Sequence, residues 1–189
     1  DFFSLLDSKS NSILMETEIL RNEIFPLLLN HIPKHAQIIY FDFDAWLRTY
    51  STFHNLDQKI ILINPTSMDL EQSLLSFLSW TVPSFDFLIL DSLTTLYQML
   101  DKSSDYNLTN QKFGYYFANI INLVNRINAK ILISSFPITK NNYPWYKNYL
   151  GITEDEINCI TWNKIVKSLI ELSRNKDNQY TCSAKDIVG

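Results

Sequence analysis

At 189 residues, 46% hydrophobic and 14% aromatic, the chain has the length of one domain and enough apolar side chain to close a core, which excludes disorder as its main state. Only 3 glycines are present, so a ligand loop that depends on positive φ and close backbone approach is nearly excluded. The formal net charge of −4 is uneven: residues 1–101 carry 5 Lys or Arg against 13 Asp or Glu, residues 102–139 carry 4 against 1, and residues 140–189 carry 7 against 6, which rules out a wholly basic nucleic-acid surface but leaves room for a local basic patch late in the chain.

Strand and helix signals alternate from residue 12 onward. Ser12–Met15 reads as a first short strand, and Ile19–Asn30 follows as a helix with Ile19, Leu20, Ile24, Leu27 and Leu28 on one stripe. Gln37–Phe43 and Lys59–Ile63 are continuous β-branched and aromatic runs, the pattern of strands covered on both faces. Asp69–Trp80 has helical period, and Thr66-Ser67-Met68-Asp69 before it supplies a cap. Asp86–Leu90 is a fourth strand, Asn110–Asn128 the longest helix and Ala129–Ile133 a fifth strand. Beyond Pro137 the period loosens: Lys140–Gly151 reads as a loop, and Ile160–Ser173 with Tyr180–Ser183 as a β-hairpin around a polar turn at Arg174–Asn178.

This alternation implies right-handed βαβ crossovers, hence an α/β fold with a mostly parallel sheet, helices on both faces and a C-terminal β-hairpin, in one domain over residues 1–189. Ligands of such folds sit at the carboxyl ends of the strands. The polar residues there are Glu16, Thr17 and Glu18, then Asp42 and Asp44, Asp91 and Ser92, and Ser134 and Ser135.

Other chemistry has little support in the residues. Cys159 and Cys182 stand apart, as ordinary thiols of a reducing compartment do, and His31, His35 and His54 are too scattered for a metal cluster. Ser134 and Ser135 have no His nearby in sequence for a hydrolase triad. No uncharged run approaches a membrane span and no basic, then apolar leader opens the sequence, so the expectation is a soluble, intracellular protein without membrane partners, nuclear if eukaryotic. Phe41-Asp42-Phe43-Asp44 matches the DxD motif of haloacid-dehalogenase phosphatases, but Ala45-Trp46 replaces their Gly-Thr and places a bulky ring beside the nucleophile.

In order and spacing, these pieces resemble the ATPase core of the RecA/RadA recombinase superfamily. IIYFDFD stands for the strand that ends in acidic residues, ILINPTSMDLEQSLLSFL for the next strand and helix, and FLILDSLTTLY for the apolar strand that ends in Asp-Ser. The long helix follows, preceded by Asn110-Gln111-Lys112, then ILISS, a loop, and TWNKIVKSLIELSRNKDNQYTCSAKD as the family's terminal hairpin. Each motif alone is weak; their joint order carries the likeness.

The departure is at the phosphate loop. Members that hydrolyse ATP carry GxxxxGK[ST] after the first strand, where backbone N–H groups cradle phosphates and the Lys neutralises charge. This chain has Met15-Glu16-Thr17-Glu18-Ile19-Leu20-Arg21 instead. Glu16 and Glu18 suit the first turn of a helix. They suit phosphates badly, since like charges a few ångström apart repel by on the order of 1 kcal/mol even in water. The resemblance further implies that Asp91 stands for the Mg²⁺-linked acid and Asp44 for the carboxylate that orients water. Glu16, Thr17, Glu18, Asp44 and Asp91 together then form a degenerate nucleotide site without a functional Walker A motif, without metal and without cofactor: a pseudo-ATPase.

Two family loops face DNA, and by position these are Gln98–Thr109 and Phe136–Asn158. Lys140, Tyr143, Trp145 and Lys147 interleave cations and rings in the second, a mixture suited to single-stranded nucleic acid or to anchoring a partner. Family members assemble side by side. Trp46, Tyr50 and Phe53 are candidates for an interface with a related RecA-like subunit, or alternatively for the core. The implied function is a non-catalytic recombinase paralog, an accessory subunit in homologous-recombination DNA repair. The alternatives are a RecA-like scaffold in another complex, such as one for tRNA modification or motility, and a DxD-type phosphatase.

Overall fold

The computed structural model describes residues 10–15, 18–51, 59–79, 84–101, 106–135, 168–174 and 180–186. Along them run β1 (Ser10–Met15), α1 (Glu18–His31), β2 (Gln37–Asp42), α2 (Trp46–Ser51), β3 (Lys59–Ile63), α3 (Leu70–Ser79), β4 (Phe87–Asp91), α4 (Leu93–Leu100), α5 (Tyr106–Ile127), β5 (Lys130–Ser135), β6 (Ser168–Arg174) and β7 (Tyr180–Asp186). The chain divides into two compact units, Asp1–His31 with Ser134–Gly189, and Ile32–Ile133.

In the second unit the strands lie in the order β3-β2-β4-β5 and are parallel throughout. Gln37 to Phe41 pair with Lys59 to Ile63, Ile38 to Asp42 with Phe87 to Asp91, and Phe87 to Leu90 with Lys130 to Ile133. Parallel strands need crossovers: α2 lies in the connection from β2 to β3, α3 in that from β3 to β4, and α4 with α5 in that from β4 to β5. On β2 every residue from Ile38 to Asp42 is buried, and on β4 every residue from Leu88 to Asp91. Successive side chains point to opposite faces, so both faces of these strands are covered, as their unbroken apolar runs predict.

The same expectation fails for β3. Ile61 is 42% and Leu62 38% exposed, on opposite faces of the strand. The reason is position: β3 pairs only with β2 among the described strands, and an edge strand has a covering neighbour on one side alone.

Local chemistry explains most helix boundaries. Thr66 N–H and Oγ–H both donate to Asp69 Oδ1, at 2.6 and 2.7 Å, and the Asp69 carbonyl accepts from Ser73 N–H at 2.8 Å, which starts α3 one residue later than its period predicts. Leu70, Leu74 and Phe77 form its buried stripe, and the Phe77 ring meets Phe41 edge-on at 5.1 Å. α5 begins at Tyr106, four residues before its predicted start, so Asn110-Gln111-Lys112 lies inside the helix instead of preceding it. It ends where Asn128 takes φ 59°, a left-handed position that Asn tolerates. Glu71 on α3 is tied to α5 by an ion pair with Lys112 at 2.8 Å and by the Tyr116 hydroxyl at 3.2 Å.

α4 and α2 are helices that periodicity does not reveal. Ser92 caps α4 by accepting from Thr95 N–H at 3.3 Å, and Leu93, Thr94, Leu96, Tyr97 and Leu100 are buried. Tertiary burial here outweighs the modest helix propensity of Thr and Tyr. Gln98–Thr109, expected as a DNA-facing loop, is therefore mostly helical: Gln98–Leu100 close α4, Asp101 caps it, and Tyr106–Thr109 open α5, while residues 102–105 lie outside the described residues.

In the first unit β1 pairs in parallel with β6, from Asn11↔Ser168 to Met15↔Leu172, and β6 pairs antiparallel with β7, from Ser168↔Asp186 to Arg174↔Tyr180. This is the expected C-terminal hairpin, its return strand three residues longer than predicted. α1 buries Arg21, Phe25, Leu28 and Leu29, spaced by one and two turns. No helix among the described residues is long and apolar enough to cross a membrane.

Candidate functional site

Parallel strands end together, and in the second unit the carboxyl ends of β2, β3 and β4 collect Asp42, Asp44, Asn64, Asp91 and Ser92. Asp91 is the last residue of β4, where the apolar pattern places it just after the strand; the register shifts by one because Asp86 starts the strand from outside it. Asp86 Oδ2 accepts the Gln37 N–H at 2.8 Å, and its carbonyl accepts the Lys130 N–H at 2.9 Å, which aligns the starts of β2, β4 and β5.

Asp42 and Asp91 are register partners, and adjacent partners of a pleated sheet share a face. Tyr40, two residues before Asp42, lies on that face too. Its hydroxyl donates to Asp91 Oδ2 at 2.6 Å in a fully buried bond. Phe43 N–H extends the ladder by donating to the Asp91 carbonyl at 2.7 Å. The Asp91–Ser92 peptide is cis.

Asp42 anchors the turn into α2. Its Oδ2 accepts the Arg48 N–H at 2.8 Å, and its backbone carbonyl accepts the Asn64 side-chain amide. The chain gets from β2 to α2 through Ala45 at φ 56°, a left-handed conformation that costs a Cβ-bearing residue on the order of 1 kcal/mol. Asp42 is 0% exposed, and its Oδ1 has no hydrogen-bond partner among the described residues. Burial pushes its carboxyl above the usual carboxylate range; the amides of Arg48, Leu47 and Trp46 pull the other way, and the nearby charge of Asp44 adds to the rise. Asp44 Oδ1 accepts from Thr95 Oγ, and Thr95 Oγ accepts in turn from Ser92 Oγ at 3.2 Å, so the turn after β2 is tied to the start of α4.

These carboxylates hold the protein's own backbone and hydroxyl groups. Asp42, the first acid of the Phe41-Asp42-Phe43-Asp44 string, has no exposed surface. Among the described residues no three His, Cys, Asp or Glu side chains form a set that could hold a metal ion.

Of the residues expected at the degenerate nucleotide site, Asp44 and Asp91 meet at neighbouring strand ends through Ser92 and Thr95. Glu18 is the first residue of α1, while Glu16 and Thr17 lie outside the described residues. Ser134 is buried within β5. Lys140, Tyr143, Trp145 and Lys147 lie outside the described residues, as does Phe53. Trp46, a candidate for an exposed interface, is instead 9% exposed, with its ring stacked on Tyr50 at 5.1 Å. Leu47 beside it is buried as well, in the helix turn whose Arg48 N–H donates to Asp42. Tyr50 is half-buried. Sequence reasoning missed Tyr40, Asn64 and Thr95. Strand alternation puts Tyr40 on the face of Asp42, but only the pairing of β2 with β4 brings it diagonally to Asp91.

No protein-family model and no curated protein matches the chain. Solved structures do. The crystal structure of the RadB recombinase aligns with a TM-score of 0.57 at 11% identity, over 93% of this chain and 80% of that one. A KaiC-like protein from the hyperthermophilic archaeon Pyrococcus horikoshii OT3 aligns with a TM-score of 0.58 at 9% identity, over 94% of this chain and 79% of that one. At such identities the likeness shows the fold alone: the chain has a RecA-like α/β fold.

Proposed function

We propose that the chain is a RecA-like subunit without nucleotide turnover, an accessory or assembly partner of a related RecA-like subunit in homologous-recombination DNA repair. The observation that carries the proposal is the length of one connection. β1 ends at Met15 and α1 begins at Glu18, which leaves Glu16 and Thr17 between them. A GxxxxGK[ST] loop spends most of its eight residues circling phosphate with backbone N–H groups. Two residues with side chains, one of them a carboxylate, reach about 7 Å when fully extended and leave no length for such a circle. The residues present do not fit a nucleoside triphosphate with its Mg²⁺.

Asp91 and Asp44 support the same reading, since Tyr40 and Thr95 already take a carboxylate oxygen of each. DNA contact is assigned to Lys140, Tyr143, Trp145 and Lys147, where ring stacking contributes about 1–3 kcal/mol per base and the ammonium groups meet phosphates. With Trp46 buried, Tyr50 and Phe53 remain as the subunit-interface candidates of that region. A second reading, a RecA-like scaffold in another complex, draws support from the KaiC-like match, which aligns as well as the recombinase does.

Titration of the purified protein with a fluorescent ATP analogue, together with a phosphate-release assay, tests the proposal: neither saturable binding nor turnover is expected, and turnover abolished by Asp44→Asn overturns it. Fluorescence anisotropy with single-stranded DNA separates the two readings. Binding that weakens with salt and is lost in Lys140→Glu/Lys147→Glu supports the repair role; absent or salt-insensitive binding removes it in favour of the scaffold.

A further inference from the structure

We draw no further inference here: the strongest candidate, the open edge of the four-stranded sheet at β3, where Ile61 and Leu62 are exposed on opposite faces, carries nothing because nothing among the described residues shows what covers it.

Discussion

β2 and β3 are neighbours with nearly interchangeable sequences, QIIYFD and KIILI, yet the first is buried along almost its whole length and the second is open on both faces. Their carboxylates diverge in the same way. Asp42, at the end of β2, is enclosed and its carboxyl is pushed up by burial. Asp69, beyond the end of β3, is exposed, and hydrogen bonds from the Thr66 side chain and backbone hold its carboxyl down. What differs is position in the sheet: an inner strand is desolvated from two sides, while an edge strand leaves its residues, and the loop after it, in water.

The widest gap between the two regions is expected in packing. Ile89→Ala, on the inner strand β4 beside β2, removes a fully buried side chain and lowers stability by about 2–5 kcal/mol in urea unfolding. Ile61→Ala on β3 costs at most about 1 kcal/mol, because much of that side chain is already in water. Equal losses at the two positions would mean that β3 is covered in solution.

Next in size is Tyr40→Phe. It strips the buried Asp91 carboxylate of a hydroxyl donor and destabilises by about 1–3 kcal/mol, with little change in the denaturant slope. A neutral outcome would show that Asp91 does not depend on that hydroxyl.

The pH responses have opposite signs. For Asp42 the folded pKa lies above the unfolded one, so folding is favoured while the group is protonated, and that advantage is lost as pH rises from the unfolded value through the raised one. Asp42→Asn removes the charge, so its stability relative to wild type should improve from acid toward neutral pH. Unfolding midpoints measured from pH 4 to pH 8 check this, and a difference independent of pH would refute it.

Asp69 contributes the smallest effect. Its lowered pKa means a contribution present above the unfolded value and lost as pH falls through the folded one. Asp69→Asn should therefore trail wild type slightly at neutral pH and converge with it in acid. Carboxyl NMR titration should find Asp69 below, and Asp42 above, the ordinary range.

Much of the fold is legible without coordinates because its signals are local. Unbroken apolar runs mark β2, β4 and β5 within a residue or two, Thr66 and Asp69 announce the start of α3, and the recurrence of Phe113, Phe117, Ile120 and Val124 marks α5. α2 and α4 escaped because each is held from outside itself, α2 by the Asp42 carboxylate and α4 by five buried side chains. The candidate site was half legible. Chain order at the strand ends locates Asp42, Asp44 and Asp91, whereas their partners Tyr40, Asn64 and Thr95 come from positions up to 51 residues away.

Residue order alone determined the alternation of strand and helix, the acidic strand ends and the absence of a glycine-rich phosphate loop, since each is written in consecutive side chains. Only the tertiary structure decided which apolar strand lies inside and which at the edge, that Trp46 turns inward, and which hydroxyls and amides engage the three aspartates. Those outcomes depend on the neighbour that each strand pairs with, and pairing between distant segments is selected by the burial of the whole sheet.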